Sequence, residues 1–166
     1  MKQPLHTVTN LTLAATLVLL LAGCGRDSVI DVAPHVSKRA FPSGTVQGQT
    51  ERAFAEDLLQ EINRIRIRNG ATPLRSDPRL DRIAEQHSQS MARHAALSHS
   101  GFEERFHRAD SQHCVENVAW NYPSPTKTVE SWLKSDAHRV NLLDTEINTA
   151  GVAIINGYAT FFGCRR

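Results

Sequence analysis

The sequence lacks a marked excess of charge, a long apolar run and the best-known zinc-protease motif. Its 166 residues carry 19 Lys and Arg side chains against 17 Asp and Glu, a formal net charge of +2. Nucleic acid is therefore not expected as a main partner, because phosphate binding needs a clustered positive excess. The apolar segment from Leu11 to Ala22 is shorter than the ~20 residues that span a bilayer. His-Glu-x-x-His is also absent, so a zinc-protease helix is not predicted.

The first residues predict a targeting signal rather than part of a folded domain. Lys2 precedes the apolar segment, which ends in Leu21-Ala22-Gly23-Cys24, and this order is typical of a secretory signal. The final four residues resemble the bacterial lipobox. Residues 1–23 are thus predicted to be a lipoprotein signal peptide, with acylated Cys24 as the membrane anchor; an ordinary secretory signal is the alternative. In lipoproteins of this type, an Asp directly after the acylated Cys favours retention in the inner membrane. The residue at that position here is Gly25, so the outer membrane is favoured in a Gram-negative envelope.

Scattered Pro, Gly, Ser and Thr over residues 24–50 predict a flexible, lipid-anchored linker. An ordered arm that packs on the following domain is the alternative. A single domain is predicted over residues 51–166, since 40% hydrophobic content is ordinary for a globular chain.

Five helices are predicted in this domain. Apolar periodicity predicts one over Glu51–Asn69, and Asp77 with Pro78 predicts the start of a second. Phe102–Arg108 is predicted to be a short third helix. Thr126 is predicted to cap the fourth, and Ser135 to begin a fifth short helix that carries His138 in its first turn.

The remaining segments predict strands. Cys114–Ala119 is rich in Val, and Gly151–Ile155, Asn156-Gly157 and Tyr158–Gly163 form a hairpin signature with a type I′ turn. If Cys24 is acylated, Cys114 and Cys164 are the only thiols left in an oxidising compartment. A disulfide between them is the economical assignment, and a cysteine nucleophile is the alternative.

Three titratable residues are the candidates for a functional site. Glu116 is a carboxylate inside an apolar run, His99 lies in a Ser-His-Ser-Gly loop, and His138 opens a helix. At a helix N-terminus the dipole disfavours imidazolium, which leaves the ring of His138 able to bind a metal or accept a proton. His87 is predicted to point inward as a satisfied core histidine.

Several fragments together are similar to the CAP family, also called the SCP family, in its compact bacterial form. They include Leu97-Ser98-His99-Ser100, Glu116-Asn117-Val118-Ala119, the run from Trp132 to Leu143, and Tyr158-Ala159-Thr160-Phe161-Phe162. The resemblance implies an α+β fold, an α/β/α sandwich with a small antiparallel sheet between helices.

The resemblance also implies a cleft that binds zinc or another divalent cation in some members, through two His and two Glu. His99 and Glu116 match the first His and first Glu, whereas the second Glu and second His fall on Ser135 and Tyr158. A reduced metal site of His99, Glu116 and His138 is the resulting hypothesis. The predicted ligand cleft comprises His99, Ser100, Glu116, Asn117, Ser135, His138 and Tyr158.

Three functions are consistent with these residues. The first is a membrane-anchored, extracytoplasmic, non-enzymatic module in the bacterial envelope whose cleft binds a lipid, a cell-wall component or a protein. The second is a zinc-dependent hydrolase of envelope material, with Glu116 as ligand or general base. The third is a purely structural network of His99, Glu116 and His138.

Overall fold

The computed structural model describes residues 43–166, with side chains from Gln47 onward. The predicted signal peptide, the acylation of Cys24 and the linker up to residue 42 lie outside these residues. The elements are α1 (Ser43–Arg68), β1 (Arg75–Ser76), α2 (Pro78–His94), α3 (Phe102–Ala109), β2 (Cys114–Trp120), α4 (Pro125–Lys134), α5 (Asp136–Leu143), β3 (Thr149–Ile155) and β4 (Tyr158–Cys164). Within residues 43–166, no helix is both long enough and apolar enough to cross a membrane.

The sheet has four strands in the order β1-β3-β4-β2. β4 pairs antiparallel with both β2 and β3, and the predicted hairpin turn is confirmed at Asn156 and Gly157, whose φ angles are 48° and 81°. The sheet is nevertheless mixed rather than antiparallel throughout, because the two residues of β1 run parallel to the start of β3. They do so where the chain returns from α1 to begin α2.

Helices cover both faces of this sheet, which confirms the α/β/α sandwich. Because side chains alternate along a strand, Phe161 packs in the core with residues of α1, α4 and α5. Phe162 packs on the opposite face with residues of α2 and with Phe102 of α3. The even-numbered residues of β2 and β4 thus face α2 and α3, and the odd-numbered ones face the other three helices.

Helix termini follow local capping chemistry, with two departures from the prediction. Asp77 caps α2 as expected, and its carboxylate accepts from the backbone of Arg79 at 2.8 Å. The cap of α4 is Ser124 rather than Thr126, because Pro125 occupies the first helical position. Helix α1 begins at Ser43, so residues 43–50, assigned to the linker, are helical.

The two cysteines of the domain are paired, as predicted. Cys114 and Cys164 lie directly opposite each other on β2 and β4, with an S–S distance of 2.07 Å and a sequence separation of 50. The bond fastens the ends of two neighbouring strands, and neither sulfur is available as a nucleophile.

Candidate functional site

The candidate site is centred on Glu116, which β2 directs toward α2 and α3. Its side chain is only 2% exposed, as expected for an even-numbered residue on a strand covered by helices. A carboxylate in this position must be paired, because an unpaired buried charge costs several kcal/mol or more. The acid inside an apolar run of the sequence is therefore buried, and other groups must neutralise it.

Arg105 of α3 supplies that pairing. Its Nε donates to Glu116 Oε2 at 2.7 Å, and its Nη2 donates to Oε1 at 2.8 Å, the two-pronged geometry that fits guanidinium to carboxylate. The same guanidinium donates to the carbonyl of Ser100 at 2.8 Å and to that of His99 at 3.3 Å. Arg105 therefore holds both the carboxylate and the loop that carries His99.

Arg105 was missed in the sequence, although a signal for it exists. Phe102, Arg105, Phe106 and Ala109 have the spacing of one inward helix stripe, and Arg105 occupies one of its four positions. A cation in an apolar stripe, followed by an acid in an apolar strand, predicts a buried ion pair.

His99 donates a further hydrogen bond to Glu116. It lies in the predicted loop after α2, and its Nδ1 is 2.9 Å from Glu116 Oε1. Since a carboxylate only accepts hydrogen bonds, Nδ1 is the protonated nitrogen. The ring is half exposed, at 51%, so the site reaches solvent through His99.

His87 lies beneath the same carboxylate, and its predicted inward orientation is confirmed. Its Nε2 donates to the carbonyl of Ser98 at 2.7 Å and lies 3.6 Å from Glu116 Oε1. Burial lowers the pKa of His87, and this effect exceeds the opposing influence of the Glu116 charge. The neutral ring is thus a support for the loop that precedes His99.

The charge of Glu116 is stabilised despite its burial. Burial acts to raise the pKa of Glu116, but the hydrogen bonds from His99 and Arg105 outweigh it and leave the pKa below its usual value. The carboxylate is consequently ionised at neutral pH and balanced by the guanidinium. A group so stabilised is a poor general base, because its affinity for a proton is low.

His138 approaches the site from the edge of the sheet. It lies in the first turn of α5, as predicted, and its ring centroid is 6.4 Å from that of His99. Burial, followed by the charge of His99, lowers the pKa of His138. The ring of His138 thus lies beside that of His99, and neither residue is fully buried.

Asn117 fixes α5 instead of lining the cleft, which corrects its predicted place. As an odd-numbered residue of β2 it faces away from Glu116, where its Nδ2 donates to the carbonyl of His138 at 2.9 Å. Asn141 then donates to Asn117 Oδ1 at 2.9 Å and to the carbonyl of Glu116 at 3.0 Å. These bonds set the distance of His138 from the strand.

The other predicted cleft residues contribute in different ways. Ser100 provides only its carbonyl, as an acceptor for Arg105. Ser135 joins α4 to α5, and Tyr158 packs in a buried cluster with Met91 and Val118. Among the described residues, no hydrogen bond joins the side chain of Ser135 or Tyr158 to the His99–Glu116 pair.

The arrangement does not fit the hypothesised zinc site. The part of the chain from residue 43 onward contains no group of three or more His, Cys, Asp and Glu side chains placed to hold a metal ion. Arg105 binds both oxygens of Glu116, and His99 directs its Nδ1 proton to one of them. A cation entering this site would have to displace a guanidinium that already neutralises the carboxylate.

Comparison with known proteins gives a family and a fold. Residues 59–165 match the model of the CAP family, described as the cysteine-rich secretory protein family. The chain is 30% identical over 112 residues to the "Uncharacterized membrane protein YlbC" of Bacillus subtilis (strain 168), a match covering 63% of this chain and 32% of that protein. The chain thus spans about a third of this curated relative.

Solved structures share the fold at lower identity. An extracellular protein from Bacillus anthracis str. Ames that contains an SCP domain superposes with a TM-score of 0.71 at 24% identity, covering 76% of this chain and 45% of that one. An outer surface protein from Borrelia burgdorferi gives a TM-score of 0.61 at 20% identity, covering 69% of this chain and 95% of that one.

Proposed function

The chain belongs to the cysteine-rich secretory protein (CAP) family, and on that premise we propose that it is a non-enzymatic binding protein of the bacterial envelope. In this proposal acylated Cys24 anchors it to a membrane outside the cytoplasm, and the cleft between His99 and His138 binds an envelope component. The proposal is supported by the lipobox-like residues Leu21-Ala22-Gly23-Cys24 and by relatives that are named as membrane, extracellular or outer surface proteins.

One observation carries the non-enzymatic assignment. Three donor atoms, two from Arg105 and one from His99, bind the carboxylate of Glu116 at 2.7–2.9 Å. No other carboxylate is part of the contacts described for this site, which supports a structural role for Glu116. Catalysis of hydrolysis by this group would require first breaking a buried ion pair, which costs about 3–5 kcal/mol.

The ligand-binding surface is then provided by the two imidazoles. The Nδ1 of His99 is bound to Glu116, which leaves its Nε2 outside that bond on a side chain that is 51% exposed. His138 lies beside it with a pKa lowered mainly by burial. Two imidazoles in partly solvated positions can each exchange a hydrogen bond with a ligand, a chemistry suited to a polar, hydroxyl-rich or amide-rich envelope polymer or headgroup.

Binding is tested with the full-length chain in non-ionic detergent. Purified peptidoglycan and vesicles of phosphatidylethanolamine and phosphatidylglycerol are separately incubated with the wild type, with His99→Ala/His138→Ala and with the matched surface variant His94→Ala/His107→Ala. Sedimentation of the wild type and the surface variant, but not of the cleft variant, supports the proposal. Equal sedimentation of all three, or release of soluble fragments from the peptidoglycan, overturns it.

Anchoring is tested separately in cells. The proposal expects the wild type in the membrane fraction and Cys24→Ala in the soluble fraction or unprocessed, with mass spectrometry showing acyl chains on Cys24. An unmodified Cys24 in the mature, correctly processed protein would contradict the anchor without affecting the cleft.

A further inference from the structure

The two edges of the sheet differ in how their backbone groups are satisfied. At the β2 edge, the carbonyl of Glu116 accepts from Asn141 Nδ2 and that of Val118 accepts from Trp132 Nε1, both at 3.0 Å. Unpaired backbone groups on a sheet edge are a template for another strand. Side chains of α4 and α5 thus occupy two carbonyls of that template at β2.

The β3 edge is covered for only part of its length. β1 pairs with Thr149 and Ala150, after which the chain turns away into α2. Ala150 directs its carbonyl to this edge, where the backbone of Asp77 donates to it at 3.0 Å. By strand alternation, the backbone N–H and C=O of Val152 and Ile154 point to the same edge.

Two carboxylates occupy the positions that carbonyls of a longer β1 would have taken. Asp81 Oδ1 accepts from the N–H of Val152 at 3.1 Å, and Glu51 Oε1 accepts from the N–H of Asn156 at 2.7 Å. Between them, the carbonyl of Val152 and both backbone groups of Ile154 have no hydrogen-bond partner in the described chain. The β3 edge therefore has a gap at which one more strand could pair.

This gap opens into a groove of about 770 Å³ between α1 and α2. On the α1 side, Ala55 and Leu59 pack against the same core as Val152 and Ile154. The charged part of the lining is acidic, with four carboxylates and one guanidinium: Glu51, Glu56, Asp81, Glu85 and Arg52. The guanidinium is already bound to Glu56, which leaves an excess of negative charge.

We propose that this groove binds an extended peptide segment of another protein, added to the sheet beside β3, in which apolar residues alternate with basic ones. Successive side chains of an added strand point to opposite faces of the sheet. One set meets the apolar wall of Ala55 and Leu59, and the other meets Asp81 and Glu85. This site lies at the opposite edge of the sheet from Glu116 and is independent of the proposed function.

The probe is fluorescein-labelled acetyl-(Lys-Val)₄-amide, titrated into the full-length chain in non-ionic detergent and followed by anisotropy. Two peptides serve as controls: acetyl-(Glu-Val)₄-amide, and a (Lys-Val)₄ peptide in which every backbone nitrogen is methylated. The second control keeps the charge but removes every backbone donor. The expected result is saturable binding of the first peptide alone, with a shift of the Ile154 amide resonance.

Matched charge reversals locate the site. Glu56→Lys/Glu85→Lys alters the groove, while Asp57→Lys/Glu103→Lys makes the same change in net charge on exposed residues outside it. The first pair should weaken binding by about tenfold or more and the second should not. Equal weakening by both pairs, equal binding of the methylated peptide, or an unshifted Ile154 amide would overturn the proposal. So would a shift of that amide caused by protein concentration alone, since a second copy would then be the occupant.

Discussion

Loss of the Arg105 guanidinium should destabilise the domain more than any surface substitution can. In Arg105→Met, Glu116 keeps only the hydrogen bond from His99 while its side chain remains 2% exposed. Breaking a buried pair by removal of one partner costs about 3–5 kcal/mol, a large part of the roughly 5–15 kcal/mol that holds a typical domain together. Urea unfolding, followed through the fluorescence of buried Trp132, measures the change.

The double variant separates charge pairing from packing. Arg105→Met/Glu116→Met leaves no unpaired charge, so it should lose only about 1–2 kcal/mol, mainly from the loop carbonyls that Arg105 no longer holds. With Glu116→Met as the other single variant, the cycle should give a coupling energy of about 3 kcal/mol or more, because each single variant leaves one buried charge unpaired. Arg108→Met, an exposed residue of the same helix, serves as the control and should change stability by less than about 0.5 kcal/mol.

The pH dependence of stability gives a second test of the ion pair between Arg105 and Glu116. In the wild type the pKa of Glu116 is lowered from 4.5, so its contribution is fully present above pH 4.5 and is lost as the pH falls through the native pKa. In Arg105→Met burial dominates and raises that pKa, so the variant should gain stability relative to the wild type as the pH falls. Additive single and double variants, together with parallel pH profiles, would refute the ion-pair reasoning.

Three further predictions concern other parts of the domain. Burial lowers the pKa of His87 from 6.5, so the unfolded chain binds a proton at a higher pH than the folded chain does, and the stability of the wild type falls below pH 6.5. His87→Gln removes this effect and should therefore narrow the difference in urea midpoint between pH 8 and pH 5. An unchanged difference would contradict this prediction. A methyl group at Gly151 would lie 2.0 Å from the backbone carbon of Leu80, so Gly151→Ala should cost about 3 kcal/mol or more in thermal unfolding, and a loss under about 1 kcal/mol would show that α2 can move away. Cys114→Ser/Cys164→Ser should cost about 4 kcal/mol by the chain-entropy model for a 50-residue loop, and the wild type treated with a reductant should match it if the bond itself is responsible.

The sequence predicted most of the fold because its signals were local. Asp77 before Pro78 marked the start of α2, Asn156-Gly157 marked the hairpin, and the two cysteines of the domain could pair only with each other if Cys24 is acylated. The parallel pairing of β1 left no such signal, since two residues carry no periodicity. The position of these two β1 residues is set by the packing on the sheet of α1 and α2, which β1 connects.

The site was predicted less completely for two physical reasons. Charged residues are seldom fully buried, so Arg105 was not among the predicted site residues although its spacing puts it on the inward stripe of α3. Asn117 was grouped with Glu116 in the predicted cleft, whereas adjacent strand residues point to opposite faces. The loop position of His99 and the helical position of His138 were read correctly.

The order of strands in the sheet has a consequence for how the chain acquires its structure. β4, the last element, lies in the interior of the sheet and pairs with both β2 and β3. When a ribosome or a translocation channel releases the chain from its N-terminus, β2 is complete at Trp120, but its neighbour begins only at Tyr158. Until then one long strand has no partner, and this delay favours slow folding and exposes the nascent chain to aggregation. The helices can form early, but the sheet must be completed in one late step.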